Sequence, residues 1–101
     1  MDESNATCGK RLASIGVDNT EPNRRTYREL LLTTEGLGQY ISGAILFEET
    51  LYQKSRSDVP FVDCLKKANI MPGIKVDKGL SPLANANEES WCQGLDGLAA
   101  R

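Results

Sequence analysis

Residues 43–47 read Gly-Ala-Ile-Leu-Phe, the longest apolar run in the chain. Five residues is the length of a strand and far short of the ~20 that cross a membrane. A strand apolar on both faces has to be covered on both, the condition of a parallel sheet flanked by helices. Helical patterns lie on either side of it. Thr20, followed by Glu21 and Pro22, predicts a helix start. Tyr27, Leu30, Leu31 and Thr34 then mark one face, Glu21 and Arg25 make a favourable pair one turn apart, and Gly36 and Gly38 end the pattern. Downstream, Pro60 opens a second helix with the stripe Phe61, Cys64, Leu65 and Ala68, supported by Asp63 and Lys67. Residues 73–77 read as another strand. Helix, strand, helix, strand is the order of an α/β fold.

The ends of the chain are read more coarsely. Cys8, Leu12 and Ile15 recur at helical spacing, so a short helix is expected from about residue 5 to 15, with Gly16 just past its end. Residues 80–90 read as a loop. Residues 93–101 resemble a helix start, with Leu95 and Leu98 in phase, and the pattern stops without a cap as if cut.

Composition removes several classes. The chain has 101 residues, enough for one small domain or a piece of a larger one. With 12 basic and 14 acidic residues its net charge is −2, so no basic surplus points to nucleic acid or a membrane surface. There is no histidine, which excludes Ser-His-Asp and Cys-His nucleophile pairs. Three scattered cysteines make neither a disulfide framework nor a zinc ligand set and suit a reducing compartment. Asp2, Glu3 and Ser4 follow Met1, so neither a secretory signal nor a transit peptide is visible.

Three places carry possible chemistry. In the expected strand 73–77, Lys75 and Asp77 share a face opposite Ile74 and Val76. Charges on a covered face are costly unless paired, and near the C-terminal end of a barrel strand they belong to active sites. An edge strand with a wet face explains them equally well. Ser4, Thr7 and Arg11 form a second group, on one stripe of the first helix, where hydroxyls, a guanidinium and the helix N-terminus suit a phosphate. A solvated helix face capped by Ser4 accounts for the same residues. Asp2 and Glu3, just before that helix, fit either helix-dipole acids or a carboxylate at a strand mouth. Glu48 and Glu49 read as loop acids or caps of the next turn, Cys64 as core, and Lys10, Arg24, Arg25 and Arg28 as solvated helix surface.

Together these residues resemble class I fructose-bisphosphate aldolases. The resemblance is carried by Asp2-Glu3-Ser4, Gly9-Lys10-Arg11-Leu12 and Asn23-Arg24-Arg25. It continues through Ile45-Leu46-Phe47-Glu48-Glu49-Thr50-Leu51-Tyr52-Gln53, Gly73-Ile74-Lys75-Val76-Asp77-Lys78-Gly79 and Gln93-Gly94-Leu95-Asp96-Gly97-Leu98, in order over essentially the whole chain. Ser4-Asn5-Ala6-Thr7-Cys8-Gly9 and Asn87-Glu88-Glu89-Ser90-Trp91-Cys92-Gln93 resemble the plastid type of plants and algae, which implies the chloroplast stroma, with the cytoplasm as the alternative.

The resemblance implies a (β/α)8 TIM barrel, here incomplete. Residues 1–101 would supply the helix after strand 1 and strands 2 and 3 with their helices, truncated at both ends. It implies reversible cleavage of fructose 1,6-bisphosphate into two triose phosphates through a lysine Schiff base, without metal or cofactor, in a homotetrameric parent. Asp2 matches an active-site aspartate that orients substrate hydroxyls. Lys75 matches an active-site lysine near one phosphate, and Asp77 a supporting charge. Ser4, Thr7 and Arg11 match positions around that phosphate, Thr7 departing from the usual serine. The family's Schiff-base lysine, its glutamate acid/base and the site for the other phosphate fall beyond Arg101. Lys75 and Lys78 match other positions and do not take that role. The chain alone is therefore expected to be inactive and marginal in stability. Non-catalytic alternatives are a truncated product that associates with intact subunits and a small sugar-phosphate-binding module.

Overall fold

The computed structural model describes residues 1–101. Helix α1 (Asn5–Ala13) starts where Ser4, in extended conformation, accepts a hydrogen bond at Oγ from the Thr7 N–H (3.3 Å). It closes as the sequence predicts. Gly16 takes φ +69°, and the Val17 N–H turns back to the Leu12 carbonyl at 3.0 Å. Its buried residues are Cys8 and Leu12, one turn apart. Helix α2 (Glu21–Leu32) starts at the predicted Thr20 cap, with Pro22 in the first turn.

The face that α2 buries is not the predicted one. Arg28 and Leu32 are enclosed, whereas Leu30 and Leu31 are 70% and 40% exposed. A stripe of large apolar side chains marks the face with the most to gain from burial. Which face is covered depends on where the neighbouring elements lie.

After a short 3-10 turn (Leu37–Gln39) comes strand β1 (Gly43–Leu46), then helices α3 (Glu48–Tyr52) and α4 (Phe61–Lys67), and strand β2 (Met71–Ile74). The strands pair in parallel, Gly43 opposite Met71 and Leu46 opposite Ile74. The core sits on one side of this pair and consists of Leu32, Leu46, Phe61, Leu65 and Ile70. Pro60 directly precedes α4, as predicted. Phe61 and Leu65 are buried, but Cys64 is only half-buried, against expectation.

The expectation that residues 43–47 are covered on both faces also fails. Leu46 is fully enclosed while its neighbour Ile45 is 56% exposed, because successive strand side chains point to opposite faces and helices cover only one. The other face is open and apolar, with Met71, on the same face as Ile45, also exposed. Only ten residues are buried, and the radius of gyration is 15.9 Å, against about 13 Å for a compact chain of this size.

Beyond β2 two further readings are corrected. Residues 80–90 are not a plain loop. Strands β3 (Leu80–Pro82) and β4 (Ser90–Cys92) form an antiparallel hairpin, Leu80 opposite Cys92. Residues 93–101 do not begin an α-helix. Gly94 (φ +129°) and Gly97 (φ +70°) break the phase of Leu95 and Leu98, leaving one 3-10 turn at Leu98–Ala100. Arg101 fastens this end by donating to the carbonyls of Val76 (3.0 Å) and Gly94 (2.9 Å). No helix is long and apolar enough to cross a membrane.

Candidate active site at the carboxyl ends of the parallel strands

Strand β1 ends at Leu46, and backbone hydrogen bonds leave that end on both sides. The Phe47 N–H donates to the Met1 carbonyl (2.9 Å), and the Lys75 N–H donates to the Leu46 carbonyl (2.8 Å). Met1 and Lys75 are thereby pinned to opposite flanks of one strand end. Asp2 follows Met1 directly. Carboxyl ends of parallel strands are where ligands collect in α/β layers, because side chains from several strands converge there with loop freedom above them.

The ladder itself stops at Ile74, so Lys75 and Asp77 lie just past β2 instead of inside a strand running to residue 77. Both side chains are about one-third exposed, and the Lys75 ammonium is paired with the Asp77 carboxylate. That hydrogen bond is the main reason the Lys75 pKa is raised above its ordinary 10.5, with partial burial opposing it and the charges of Asp77 and Asp2 adding to it. Asp77 is shifted the other way, chiefly by Lys75 and then by the Gly79 N–H (3.1 Å). A lysine held protonated is a poor amine nucleophile and a good partner for an anion.

Ser4 and Thr7 stand at the start of α1. Besides capping the helix, Ser4 Oγ lies 3.2 Å from Thr7 Oγ1. Arg11, one turn further, is ion-paired with Glu3 at 2.8 Å, with its side chain 57% exposed. The structure therefore gathers Ser4, Thr7 and Arg11 along one face, and sets Asp2 and Lys75 on the two flanks of β1. The bonds of Ser4, Thr7 and Arg11 run among themselves and to Glu3, none of them to Lys75 or Asp2. Hydroxyls, helix N–H groups and a guanidinium along one helix face are chemically suited to a phosphate ester. No group of three His, Cys, Asp or Glu side chains is placed to hold a metal ion.

Behind this edge lies a charged cluster. Glu49, in the first turn of α3, accepts from Arg24 Nε and Nη2 (2.8 Å each) and from Arg28. Arg28 is 1% exposed. It also donates to Gln53 Oε1 (3.0 Å), the Glu3 carbonyl (3.2 Å) and Asn5 Oδ1 (3.4 Å). Its guanidinium lies 5.9 Å from the Phe47 ring centre. The Glu49 pKa is lowered from 4.5 to about 2, first by the Arg24 hydrogen bond, then against burial by Arg28.

A family model described as Fructose-bisphosphate aldolase class-I matches residues 1–101. The chain belongs to the class I fructose-bisphosphate aldolase family. It is 78% identical over all 101 residues to the chloroplastic fructose-bisphosphate aldolase 3 of Arabidopsis thaliana, covering 26% of that protein. It is 75% identical, again over its full length, to the chloroplastic fructose-bisphosphate aldolase 1 of Chlamydomonas reinhardtii, covering 27%. The solved fructose-bisphosphate aldolase of Plasmodium falciparum, in a ternary complex with TRAP and a small-molecule inhibitor, superposes with a TM-score of 0.90 at 56% identity. That match covers 98% of this chain and 28% of the other. The chain thus spans about a quarter of the length of the curated aldolases it matches.

In this aldolase segment, sequence reasoning missed the Arg24, Arg28 and Glu49 cluster and placed the arginines in solvent. A signal was present. Arg24, Arg28 and Leu32 fall one turn apart on one face of α2, and Glu49 opens a helix directly after an apolar strand. Two acids after a strand end are common, however, and only the fold shows that an arginine face looks inward.

Proposed function

We propose that this chain forms part of the active site of a fructose-bisphosphate aldolase that cleaves fructose 1,6-bisphosphate reversibly to dihydroxyacetone phosphate and glyceraldehyde 3-phosphate. The observation that carries the reading is the flanking of one strand end by Asp2 and Lys75 within a chain of this family. Asp2 orients substrate hydroxyls. Lys75, protonated beside Asp77, stabilises negative charge near one phosphate, which Ser4, Thr7 and Arg11 bind. The segment is an incomplete (β/α)8 barrel, with β1 and β2 as neighbouring strands and the open apolar face turned to the remainder of the barrel. The Schiff-base lysine lies outside these residues, so the 101 residues alone do not turn over substrate. The complete enzyme is a homotetramer, and the chloroplastic names of its relatives favour the plastid stroma over the cytoplasm.

Two measurements test this. The chain is incubated with dihydroxyacetone phosphate and borohydride and weighed by mass spectrometry; no covalent adduct is expected. A stoichiometric adduct on Lys75 or Lys78 would show that the chain carries its own carbonyl chemistry and overturn the assignment. The chain is also spliced into the Chlamydomonas reinhardtii aldolase in place of the matching segment. This chimera is expected to cleave fructose 1,6-bisphosphate. Lys75→Ala in it lowers kcat/KM on the order of 100-fold, the usual scale for removing a charge-stabilising group. Full activity in that variant would remove Lys75 from the site.

A further inference from the structure

Arg28 is fully enclosed, carries a permanent charge, and touches three separate segments that meet at the proposed site. Its Nη2 donates to the Glu3 carbonyl (3.2 Å) and Asn5 Oδ1 (3.4 Å), on the stretch that leads into α1. Its Nη1 binds Glu49 at the head of α3 and Gln53 (3.0 Å) just past the end of α3. Its guanidinium packs over Phe47, whose own N–H holds the Met1 carbonyl. A buried guanidinium with so many acceptors is expensive to place and leaves its partners little freedom. The residues so held are the immediate neighbours of Asp2 and Ser4, yet Arg28 makes no contact with the strand-end face itself.

We propose that Arg28 is a positioning residue, which clamps residues 3–5 against the β1–α3 junction and so sets Ser4, Thr7 and Arg11 at the correct distance from Lys75 for one substrate phosphate. The proposal rests on the aldolase reading above. The planar fork is required, because it spans Glu49 and Gln53 on one side and Glu3 and Asn5 on the other. A lysine at this position keeps the charge but reaches only one side. Releasing residues 3–5 shifts the start of α1, and a displacement on the order of 1 Å at a binding group has large kinetic consequences.

The test uses the complete chimeric aldolase with Arg28→Lys, and separately with Asn5→Ala, which removes one acceptor of Arg28 and the Asn5 Nδ2 donor to Glu49 (3.3 Å) but keeps both charges of the Arg28–Glu49 pair. Each is assayed on fructose 1,6-bisphosphate, fructose 1-phosphate and fructose 6-phosphate. For Arg28→Lys, kcat/KM on the bisphosphate is expected to fall on the order of 10-fold or more, mostly through KM. The monophosphate that lacks the clamped phosphate is expected to change by no more than about twofold. Asn5→Ala moves the same ratio in the same direction by less. An equal fall on all three substrates means that Arg28 serves stability alone and overturns the proposal, as does an unchanged ratio in Asn5→Ala if Arg28→Lys does not fold. A chimera that is inactive before any substitution refutes the aldolase reading instead, so the two failures are distinguishable.

Discussion

Glu49 and Arg24 meet in a forked ion pair, Nε to Oε1 and Nη2 to Oε2 both at 2.8 Å, across 25 residues of chain. Arg28 joins the same carboxylate from the next turn of α2. One acid thereby ties the helix before β1 to the helix after it, and neutralises a guanidinium that water does not reach.

Removing that acid strands Arg28. Glu49→Gln is expected to cost about 3–5 kcal/mol, the scale for breaking a buried pair from one side. In a chain with ten buried residues this abolishes any cooperative urea transition followed by circular dichroism. Glu48→Gln, at the exposed neighbouring position, stays within about 0.5 kcal/mol of the parent. Equal effects of the two substitutions would contradict the structure.

Acid should reproduce the loss. The folded pKa of Glu49 is depressed to about 2 from 4.5, so its stabilisation is complete above pH 4.5 and disappears as pH falls towards 2. The contribution is on the order of 3 kcal/mol. Thermal midpoints measured between neutral pH and the acid limit should drop most steeply in that window. A carboxyl NMR titration placing Glu49 near 4.5 would refute the pairing.

Ser4 has two proposed roles that one comparison separates. Ser4→Ala and Thr20→Ala each delete a helix cap and should each cost about 1 kcal/mol in the isolated chain. In the chimeric enzyme only Ser4→Ala should raise KM for fructose 1,6-bisphosphate, on the order of 10-fold, as expected for a lost hydrogen bond to a charged group. Matching KM values would reduce Ser4 to a cap.

Gly38 admits no side chain. A Cβ there would lie 2.0 Å from the Ala68 carbonyl oxygen, and backbone stands on both sides of the clash. Gly38→Ala should destabilise by about 1–3 kcal/mol, the range for overpacking, read as a lower urea midpoint. An unchanged midpoint would mean that the 3-10 turn does not pack on the end of α4.

Local signals were readable before the fold was known. The Ser4 and Thr20 caps, Gly16 past the end of α1, Pro60 ahead of α4, and the short apolar strand at Gly43–Leu46 all follow from chemistry within a few residues. The Lys75–Asp77 pair was visible as two charges at alternate positions, although the ladder that was to carry them ends at Ile74. The hairpin of β3 and β4 was not visible. Its strands are three residues each, too short for alternation to register, and they are separated by a turn with Asn85 and Glu88 at positive φ.

By itself the sequence determined the α/β order, the helix caps, and family membership through strings such as Gly73-Ile74-Lys75-Val76-Asp77-Lys78-Gly79, because each depends on residues adjacent in the chain. Tertiary structure alone decided which faces are covered. Leu30 lies largely in water while Arg28, two residues earlier, is sealed, since Glu49 sits opposite Arg28 and Leu30 only lines an open groove beside the end of α1. It also decided that Met1 and Lys75, 74 positions apart in the sequence, flank one strand end. Burial and charge pairing belong to pairs of surfaces, and a surface acquires its partner only when distant segments are brought together.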